Sequence, residues 1–292
     1  MKTCLNVNLH LPKRLAHYTM FDVGEHSNYF NNEHSKHEFE NSINVFENFL
    51  KGFNQKINLS ISGIMLELIQ NYKPELIEII SEKVKKGKAE LVCETYHHSH
   101  AFIYSKKEFK EQVNLHKEKL VEMFNYTPTT FKNTDFLYSD EVAKAVHELG
   151  FKTILAGVEN VDSHKVYKEE ETRITILVNK NNVFSESKEV NNVFVDYRDL
   201  NKDYEDKEYV KASELKGEHP LKVDNHEVKW HKLHSDLYQK VYEIEHKVKE
   251  KACNELLNTW RYLTSSNVSE DHDNYEGYIK FRNILKDLTL KI

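Results

Sequence analysis

Short apolar runs alternate with segments of helical periodicity through the first two-thirds of the chain. The runs at 3–9, 57–62, 89–93, 129–132 and 152–156 have the length and composition of buried strands. Strands that alternate with helices in this way are typical of βα units around a largely parallel sheet. The pattern therefore predicts an α/β fold.

Apolar positions between these runs recur at helical spacing and predict helices over 38–53, 64–70, 74–86, 105–124 and 139–149. Glycines such as Gly87 commonly follow the last turn of a helix, and one stands at the end of two of these segments. Ser105 precedes Glu108 at the spacing of a capping box, which places a helix start there.

Beyond residue 157 the pattern weakens. The polar stretch 157–190 contains one convincing strand, 173–178, and a second strand follows at 193–195. The acidic, lysine-rich run 199–222 is interpreted as a surface loop. We expect a barrel-type domain over 1–222, shortened after 157.

Residues 223–292 are expected to form a helical segment packed on that domain. Its apolar positions fall near heptad spacing, and a last helix is predicted over 275–290. The alternative is that these apolar positions form a coiled-coil dimer, although they extend over only a short segment. The heptad-like positions are Trp230, Leu233/His234, Leu237, Val241, Ile244 and Val248.

Composition excludes several classes of protein. A formal net charge of −6 argues against a nucleic-acid or anionic-membrane binder, because either partner selects a basic face. Three widely spaced cysteines, Cys4, Cys93 and Cys253, suggest buried thiols and neither a disulfide framework nor a thiolate metal site. No run of eighteen apolar residues and no secretory leader is recognised, so we expect a soluble cytoplasmic protein.

Polar residues follow several of the predicted strands where each strand ends. In barrel-like α/β folds the loops at these carboxyl ends converge, and ligands bind there. The residues at this rim are therefore the candidate site. They include His10, Ser62-Gly63, the run Glu94–Ser99, the run Asn133–Asp140, and Asp196-Tyr197.

Asp135 and Asp196 form the pair with the clearest chemical use. Two carboxyl groups facing each other across a sugar can hydrolyse a glycosidic bond, one attacking the anomeric carbon and the other protonating the departing oxygen. The alternative is structural, since an aspartate at a strand end commonly caps the next helix.

The run after the third strand is rich in titratable and aromatic groups. Glu94 and His98, or His97 and His98 with Asp135, could form a metal site, but the run follows a strand and not a helix, so a helical ligand spacing does not support one. His10 could equally be a structural histidine. The aromatic side chains that could offer apolar faces to sugar rings are Tyr96, Tyr104, Phe136, Tyr138 and Tyr197.

Several segments, in order, resemble the conserved regions of the glycoside hydrolase family 57 α-amylases. Leu9-His-Leu-Pro-Lys-Arg-Leu15 resembles the first region, and Val193-Phe-Val-Asp-Tyr197 resembles the fourth. The match is close up to about residue 156. The other matching segments are Phe21–Gly24, Tyr29-Phe30, Ser60–Gly63 with Leu66-Glu67, Glu90–Ser99, Phe131–Asp140 and, in the C-terminal part, Trp260–Ser265.

The resemblance implies an incomplete (β/α)7 barrel with a helical C-terminal part. It implies retaining action on α-1,4-linked glucans such as maltooligosaccharides, without a cofactor or metal. It places Asp135 at the nucleophile position and Asp196 at the general acid/base position, and it implies that His10 and Glu94 line the sugar site. With them, Tyr96, His97, Tyr138 and Tyr197 are the expected substrate-binding residues.

The chain departs from the family pattern at the site itself. Asp135 replaces the family's glutamate, and Leu11 replaces the glutamine after His10. Where the family reads Asp-Tyr-Glu-Thr-Phe-Gly-Glu, this chain reads Asp-Tyr-Arg-Asp-Leu-Asn-Lys over 196–202. The segment 157–193 is also shorter than in the family.

Two hypotheses follow. In the first, the chain is a slow or impaired α-amylase-type hydrolase of α-glucans. In the second, it is a pseudoenzyme that holds a glucan, or a partner such as a glycogen-metabolism enzyme, without turnover. A third hypothesis is a metal-dependent polysaccharide deacetylase, but the Asp-His-His motif that such an enzyme requires is not found.

Overall fold

The computed structural model describes residues 2–179, 189–200, 207–224, 232–266, 268 and 275–292, without the side chains of 232–234. Its strands and helices alternate along the first 156 residues, so the predicted α/β class is confirmed. The strands form two five-stranded sheets.

The first sheet is built around β1, which pairs in parallel with β2 on one side and β8 on the other. Its order is β3-β2-β1-β8, and the short β9 also pairs with the start of β1. The strands are β1 (Lys2–Leu9), β2 (Ile57–Ile61), β3 (Ala89–Val92), β8 (Val190–Asp196) and β9 (Glu208–Tyr209).

The second sheet has the order β10-β6-β7-β5-β4. Its pairs are parallel except for β6 with β7, which run antiparallel. The strands are β4 (Thr130–Lys132), β5 (Thr153–Ala156), β6 (Val166–Glu169), β7 (Thr175–Val178) and β10 (His219–Leu221).

A single parallel bridge between Cys93 and Phe131 joins the two sheets at the β3–β4 edge. Side chains from both sheets share a buried cluster that includes Cys4, Val92, Leu155 and Leu177. In the described part of the chain these strands do not close into a barrel. The seven-stranded arrangement implied by the resemblance is therefore not what the strand pairing shows.

Helices connect the strands of both sheets and cover their outer faces. Ser62 and Ser105 cap α2 and α5, their hydroxyl oxygens accepting bonds from the amides of Met65 and Glu108. The helices are α1 (Asn32–Gly52), α2 (Gly63–Tyr72), α3 (Glu75–Lys85), α4 (Ala101–Tyr104), α5 (Lys106–Phe124), α6 (Asp140–Glu148), α7 (Lys232–Glu243), α8 (Glu245–Lys251), α9 (Asn254–Leu263) and α10 (Tyr275–Lys291).

The prediction of a surface loop over 199–222 is wrong for residues 207–222, and residues 201–206 lie outside the described part. Residues 208–221 contain β9, a 3₁₀ turn at Ala212–Glu214 and β10. The backbone N–H of Ala212 donates to buried Asn58, and Ser213 donates to buried Glu90. The segment closes the amino-terminal end of the sheets, where β1, β2 and β3 begin.

Three other expectations also change. β6 was not predicted, because its four residues lie in a polar stretch without alternation. Helix α1 begins six residues earlier than predicted, since Asn31 caps it through the amide of His34 and its first turns are exposed and polar. Cys253 is exposed, in contrast to the two buried cysteines.

The C-terminal helices share one core with the helices and strands of the first half, including Phe109 and Phe131. Leu237 and Val241 of the predicted apolar stripe are buried in it beside Trp260; Trp230 lies outside the described residues. Buried ion pairs from Arg261 to Glu108 on α5 fix α9 in place. None of the described helices has the length and hydropathy needed to cross a membrane.

Gly63 should resist substitution, because the Tyr96 ring packs directly on it. An alanine Cβ at this position would lie 2.4 Å from the ring. We expect Gly63→Ala to lower the free energy of unfolding by about 1–3 kcal/mol. Gly52→Ala, also helical and with no atom within 4 Å of the added Cβ, is the matched control. Urea unfolding of both variants checks this, and equal stabilities would contradict it.

Candidate functional site at the strand ends

A cavity of about 220 Å³ lies between the two sheets, toward the carboxyl ends of their strands. Both sheets contribute polar and apolar side chains to its wall. Such a cavity, where loops converge on rigid strands, is the usual place for a ligand in α/β folds. It is lined by Asn6, Val7, Asn8, Asn58, Ser60, Val92, Lys132, Phe136, Leu155, Asn179, Phe194, Val195 and Asp196.

Glu94 and Lys132 form a buried ion pair at the edge of this cavity. The Glu94 side chain is fully buried, and its Oε2 lies 2.8 Å from Lys132 Nζ. The same oxygen accepts a bond from the Ser60 hydroxyl and lies 3.2 Å from His98 Nδ1. Lys132 also donates to Asn8 Oδ1. Four strand ends therefore meet in one charged network.

Burial alone would raise the pKa of Glu94. The charge of Lys132 and the contact with His98 outweigh it and hold the pKa well below the ordinary value. Glu94 is therefore an ionised carboxylate in the neutral pH range. Its second oxygen, Oε1, is also buried and has no hydrogen-bond partner among the described residues.

His116 fixes the backbone that carries Glu94. Its Nδ1 accepts the amide N–H of Glu94, and its Nε2 lies 2.8 Å from the carbonyl oxygen of Ile61. Because Nδ1 accepts, Nε2 must carry the proton that is donated to Ile61. Burial lowers the pKa of His116, in keeping with this neutral tautomer.

His10 lies beside the same network. Its ring stacks on that of His98 with centroids 4.0 Å apart, and its Nδ1 lies 2.9 Å from Ser62 Oγ. Burial and the neighbouring His98 lower the pKa of His10 well below its ordinary value, so its ring is neutral. His98 thus lies between His10 and Glu94, and neither of these two residues is among those that line the cavity.

Asp135 sits at the rim and is held by His100. Its Oδ2 lies 3.1 Å from His100 Nε2, and its side chain is 55% exposed while the histidine is buried. Desolvation opposes ionisation, but the hydrogen bond from His100 and its charge bring the pKa of Asp135 to about 2. Asp135 is an ionised carboxylate facing outward.

The backbone around Asp135 is unusual. Asp135 and Phe136 both adopt positive φ, at 52° and 57°, and so does His98, at 52°. Such conformations are unfavourable for residues other than glycine and cluster at functional sites. They turn Phe136 into the cavity, where its ring meets Phe194 edge-on at 5.0 Å, while Asp135 stays outside the cavity wall.

Asp196 lines the cavity on the opposite side, at the end of β8, and is paired with Arg198. Its Oδ1 accepts from the Arg198 backbone amide at 3.0 Å and from Nε at 2.7 Å, and its Oδ2 accepts from Nη2 at 3.1 Å. The Asp196 side chain is 25% exposed. This fork geometry gives strong, charge-assisted bonds.

Tyr96 and His97 do not line this cavity. They face a second pocket of about 300 Å³ beside α2, α5 and α9. There the hydroxyl groups of Tyr96 and Tyr262 donate to the two oxygens of Glu67, and Lys13 lies 3.5 Å above the Tyr262 ring. The two pockets share no lining residue.

Tyr138 and Tyr197 are fully buried in the hydrophobic core. The Tyr197 hydroxyl lies 2.7 Å from the Ser42 hydroxyl on α1. Both rings therefore anchor loops on the core. Tyr138 anchors the loop that carries Asp135, and Tyr197 anchors the one that follows Asp196.

Sequence reasoning placed His100 in the histidine-rich cluster after the third strand, but it assigned no role to Lys132 or Ser60. The available signal was Lys132 itself, because a lysine that ends a buried strand needs a charged partner. Its partner could not be identified without the strand order. Over the described ranges, no group of three His, Cys, Asp or Glu side chains is arranged to hold a metal ion.

The sequence profile of glycosyl hydrolase family 57 matches residues 4–204. A putative α-amylase of Methanocaldococcus jannaschii is 33% identical over 108 residues, which is 36% of this chain and 23% of that protein. An α-amylase of Pyrococcus horikoshii is 26% identical over 136 residues, which is 46% of this chain and 21% of that protein. The matches thus span less than a quarter of these relatives' length.

Solved structures show the same fold at low identity. A family 57 branching enzyme from Pyrococcus horikoshii superposes with a TM-score of 0.70 at 8% identity, covering 96% of this chain and 88% of that one. A branching enzyme from Thermococcus kodakaraensis, solved with glucose, gives a TM-score of 0.68 at 9% identity and covers 99% and 89%. The similarity extends over the C-terminal helices as well as the sheets.

Proposed function

The chain belongs to glycosyl hydrolase family 57, and from this premise we propose that its strand-end cavity binds α-glucan as an impaired α-amylase-type hydrolase. The observation that carries the proposal is the cavity wall, which combines the carboxyl group of Asp196, the ammonium group of Lys132 and the phenyl ring of Phe136. Sugar hydroxyl groups need charged and amide partners, and sugar rings pack on aromatic faces.

Each residue then has a role. Lys132 and Asn8 would bond sugar hydroxyl groups, and the buried Glu94 would hold the Lys132 ammonium group in place. Asp135, ionised by its contact with His100, would attack or stabilise the anomeric carbon. Asp196 would exchange the proton with the glycosidic oxygen and with water. Retention of configuration follows if both carboxyl groups reach the same sugar.

The proposal includes the architecture that the resemblance implies. Residues 1–222 would form an open variant of the family barrel, and 223–292 its helical extension. The extension contributes to the site region, because the backbone N–H of Ser266 donates to the carbonyl oxygen of His98 and the Tyr238 ring contacts His100 edge-on.

A pseudoenzyme is the second candidate, because both carboxyl groups carry a defect. Asp135 is one methylene shorter than the expected glutamate and does not line the cavity. Asp196 is engaged by Arg198. In this case the same cavity would hold a glucan, or a glycogen-metabolism enzyme would recognise the rim, without turnover.

Filling the cavity should weaken glucan binding. Asn179 lies on its wall after β7, and Asn179→Trp would place an indole in it. We expect the Kd for maltoheptaose to rise by about tenfold or more, equivalent to about 1.4 kcal/mol. Asn258→Trp, in the second pocket, is the matched control and should bind normally.

Titration calorimetry measures both dissociation constants, and the release of reducing ends from maltoheptaose at high protein concentration tests turnover. No binding by the unmodified chain would overturn the proposal. If only the Asn258 variant loses binding, the glucan binds in the second pocket. If the unmodified chain binds maltoheptaose but releases reducing ends no faster than Asp135→Asn, the pseudoenzyme hypothesis is favoured.

A further inference from the structure

The two carboxyl groups of the proposed site differ in how their oxygens are used. Asp135 meets one partner, His100, through one oxygen and is otherwise open at the rim. Asp196 accepts three N–H donors from Arg198, two on Oδ1 and one on Oδ2. An ionised carboxylate offers about four lone-pair directions, so only one remains open on Asp196.

A general acid must carry a proton on the oxygen that faces the leaving group. Adding this proton to Asp196 would remove the negative charge that Arg198 pairs with and leave its guanidinium uncompensated. It would also weaken three charge-assisted bonds. The arrangement therefore opposes the role of proton donor.

A role as hydrogen-bond acceptor is open. The remaining lone pair on Oδ2 can accept a hydrogen bond from water without disturbing the bonds from Arg198. Asp196 is thus suited to orient the water that attacks in the second half of a retaining reaction, and unsuited to act as the acid in the first half. Asp135, ionised and open, is suited to attack.

We propose that Arg198 restricts this site to α-glucosyl compounds whose leaving group departs as a stable anion and needs no proton. This inference rests on the proposed function and names its reactive substrate class. Arg198 acts here as a positioning residue, through Asp196, and not on the sugar itself. The sequence at this position departs from the glutamate that the family resemblance implies.

With α-maltosyl fluoride the reaction balances without an acid. A carboxylate oxygen of Asp135 bonds to the anomeric carbon as the C–F bond breaks, and fluoride leaves with the electron pair. A water molecule held by Asp196 then bonds through its oxygen to the same carbon. The ester bond breaks, its electron pair returns to Asp135, and the proton that the water loses passes to solvent.

The test compares α-maltosyl fluoride with maltotriose, using a fluoride electrode and a reducing-end assay. Because general acid catalysis contributes about 100-fold or more, we expect the unmodified protein to release fluoride at least about 100-fold faster than it cleaves maltotriose. Asp135→Asn gives the background for fluoride release.

Arg198→Gln should then raise maltotriose cleavage by about tenfold, and change fluoride release by less than about twofold. The gained activity should fall as pH rises, because a general acid works only while protonated. Lys222→Gln, which removes an exposed cation paired with Asp224, is the matched control and should change neither rate.

Similar rates on the two substrates, or no gain in Arg198→Gln, would overturn the inference and leave the proposed hydrolase standing. Absence of fluoride release above the Asp135→Asn background, with maltoheptaose still bound, would overturn the inference and select the glucan-binding pseudoenzyme. Absence of both release and binding would overturn the proposed function as well. Thermal melts of each variant confirm that the protein is folded.

Discussion

Replacing Asp135 by glutamate is expected to raise glucan hydrolysis by about 100-fold. The Asp135 carboxylate is ionised and held by His100, but its neighbour Phe136, not Asp135 itself, lines the cavity. One further methylene extends the attacking oxygen by about 1 Å, and a displacement of this size can change a rate by about 100-fold.

The measurement is the initial rate of reducing-end release from maltoheptaose. Asp140→Glu, the same chemical change five residues later at the start of α6, is the control and should leave the rate unchanged. Asp135→Asn should reduce the rate to background. If Asp135→Glu folds normally, binds maltoheptaose and gains no activity, the short side chain is not what limits the reaction.

Removing the cation of Lys132 is expected to cost more stability than any surface change. Lys132→Met leaves the fully buried Glu94 without the charge that compensates it. Breaking a buried pair in this way destabilises a protein by about 3–5 kcal/mol. The change also removes a cation from the cavity wall, so maltoheptaose binding should be lost.

Lys110→Met provides a matched control, because Lys110 Nζ also lies 2.8 Å from a carboxylate oxygen, that of Glu148, but both side chains are exposed. An exposed pair contributes about 0–1 kcal/mol. Urea unfolding at neutral pH should separate the two variants clearly. The double variant Glu94→Gln/Lys132→Met should recover part of the loss, because no unpaired charge is left buried.

The Glu94–Lys132 pair also makes the stability of the protein depend on pH. The pKa of Glu94 is lowered in the folded protein, so its contribution to stability is present above the unfolded value, about 4.5, and is lost as pH falls through the folded value. In Lys132→Met this acid-dependent part of the stability should shrink. Equal stabilities of Lys132→Met and Lys110→Met would show that Glu94 is not held by this charge.

Much of the fold could be predicted from the sequence because its first half carries strong local signals. The strand ending at Leu9 and the helix capped by Ser105 are encoded by apolar runs and a capping residue that act over a few positions. The strand β6 was missed because its four residues show no alternation, and only pairing with β7 defines it.

The site could be predicted only in part. Its strand-end residues His10 and Glu94 both contact His98, because parallel strands end at one edge, but neither residue lines the cavity. The directions of side chains in the loops could not be predicted. His98 adopts a positive φ, and Tyr96 packs on Gly63, so Tyr96 and His97 turn toward another pocket.

The pairing of Asp196 with Arg198 was also beyond sequence reasoning. The change from the family pattern was visible, but its effect depends on the side chain of Arg198 folding back over two residues to reach both carboxylate oxygens. Short-range contacts of this kind depend on the 3₁₀ turn at Tyr197–Asp199, which no pattern of apolar residues predicts.

A crystal structure with bound maltotetraose tests the glucan-binding claim most directly. We predict a glucose ring between the two sheets, in contact with Lys132, Phe136 and Asp196, with the chain running out past Asp135. Sugar density confined to the pocket of Tyr96 and Tyr262, or an empty strand-end cavity at saturating maltotetraose, would contradict it.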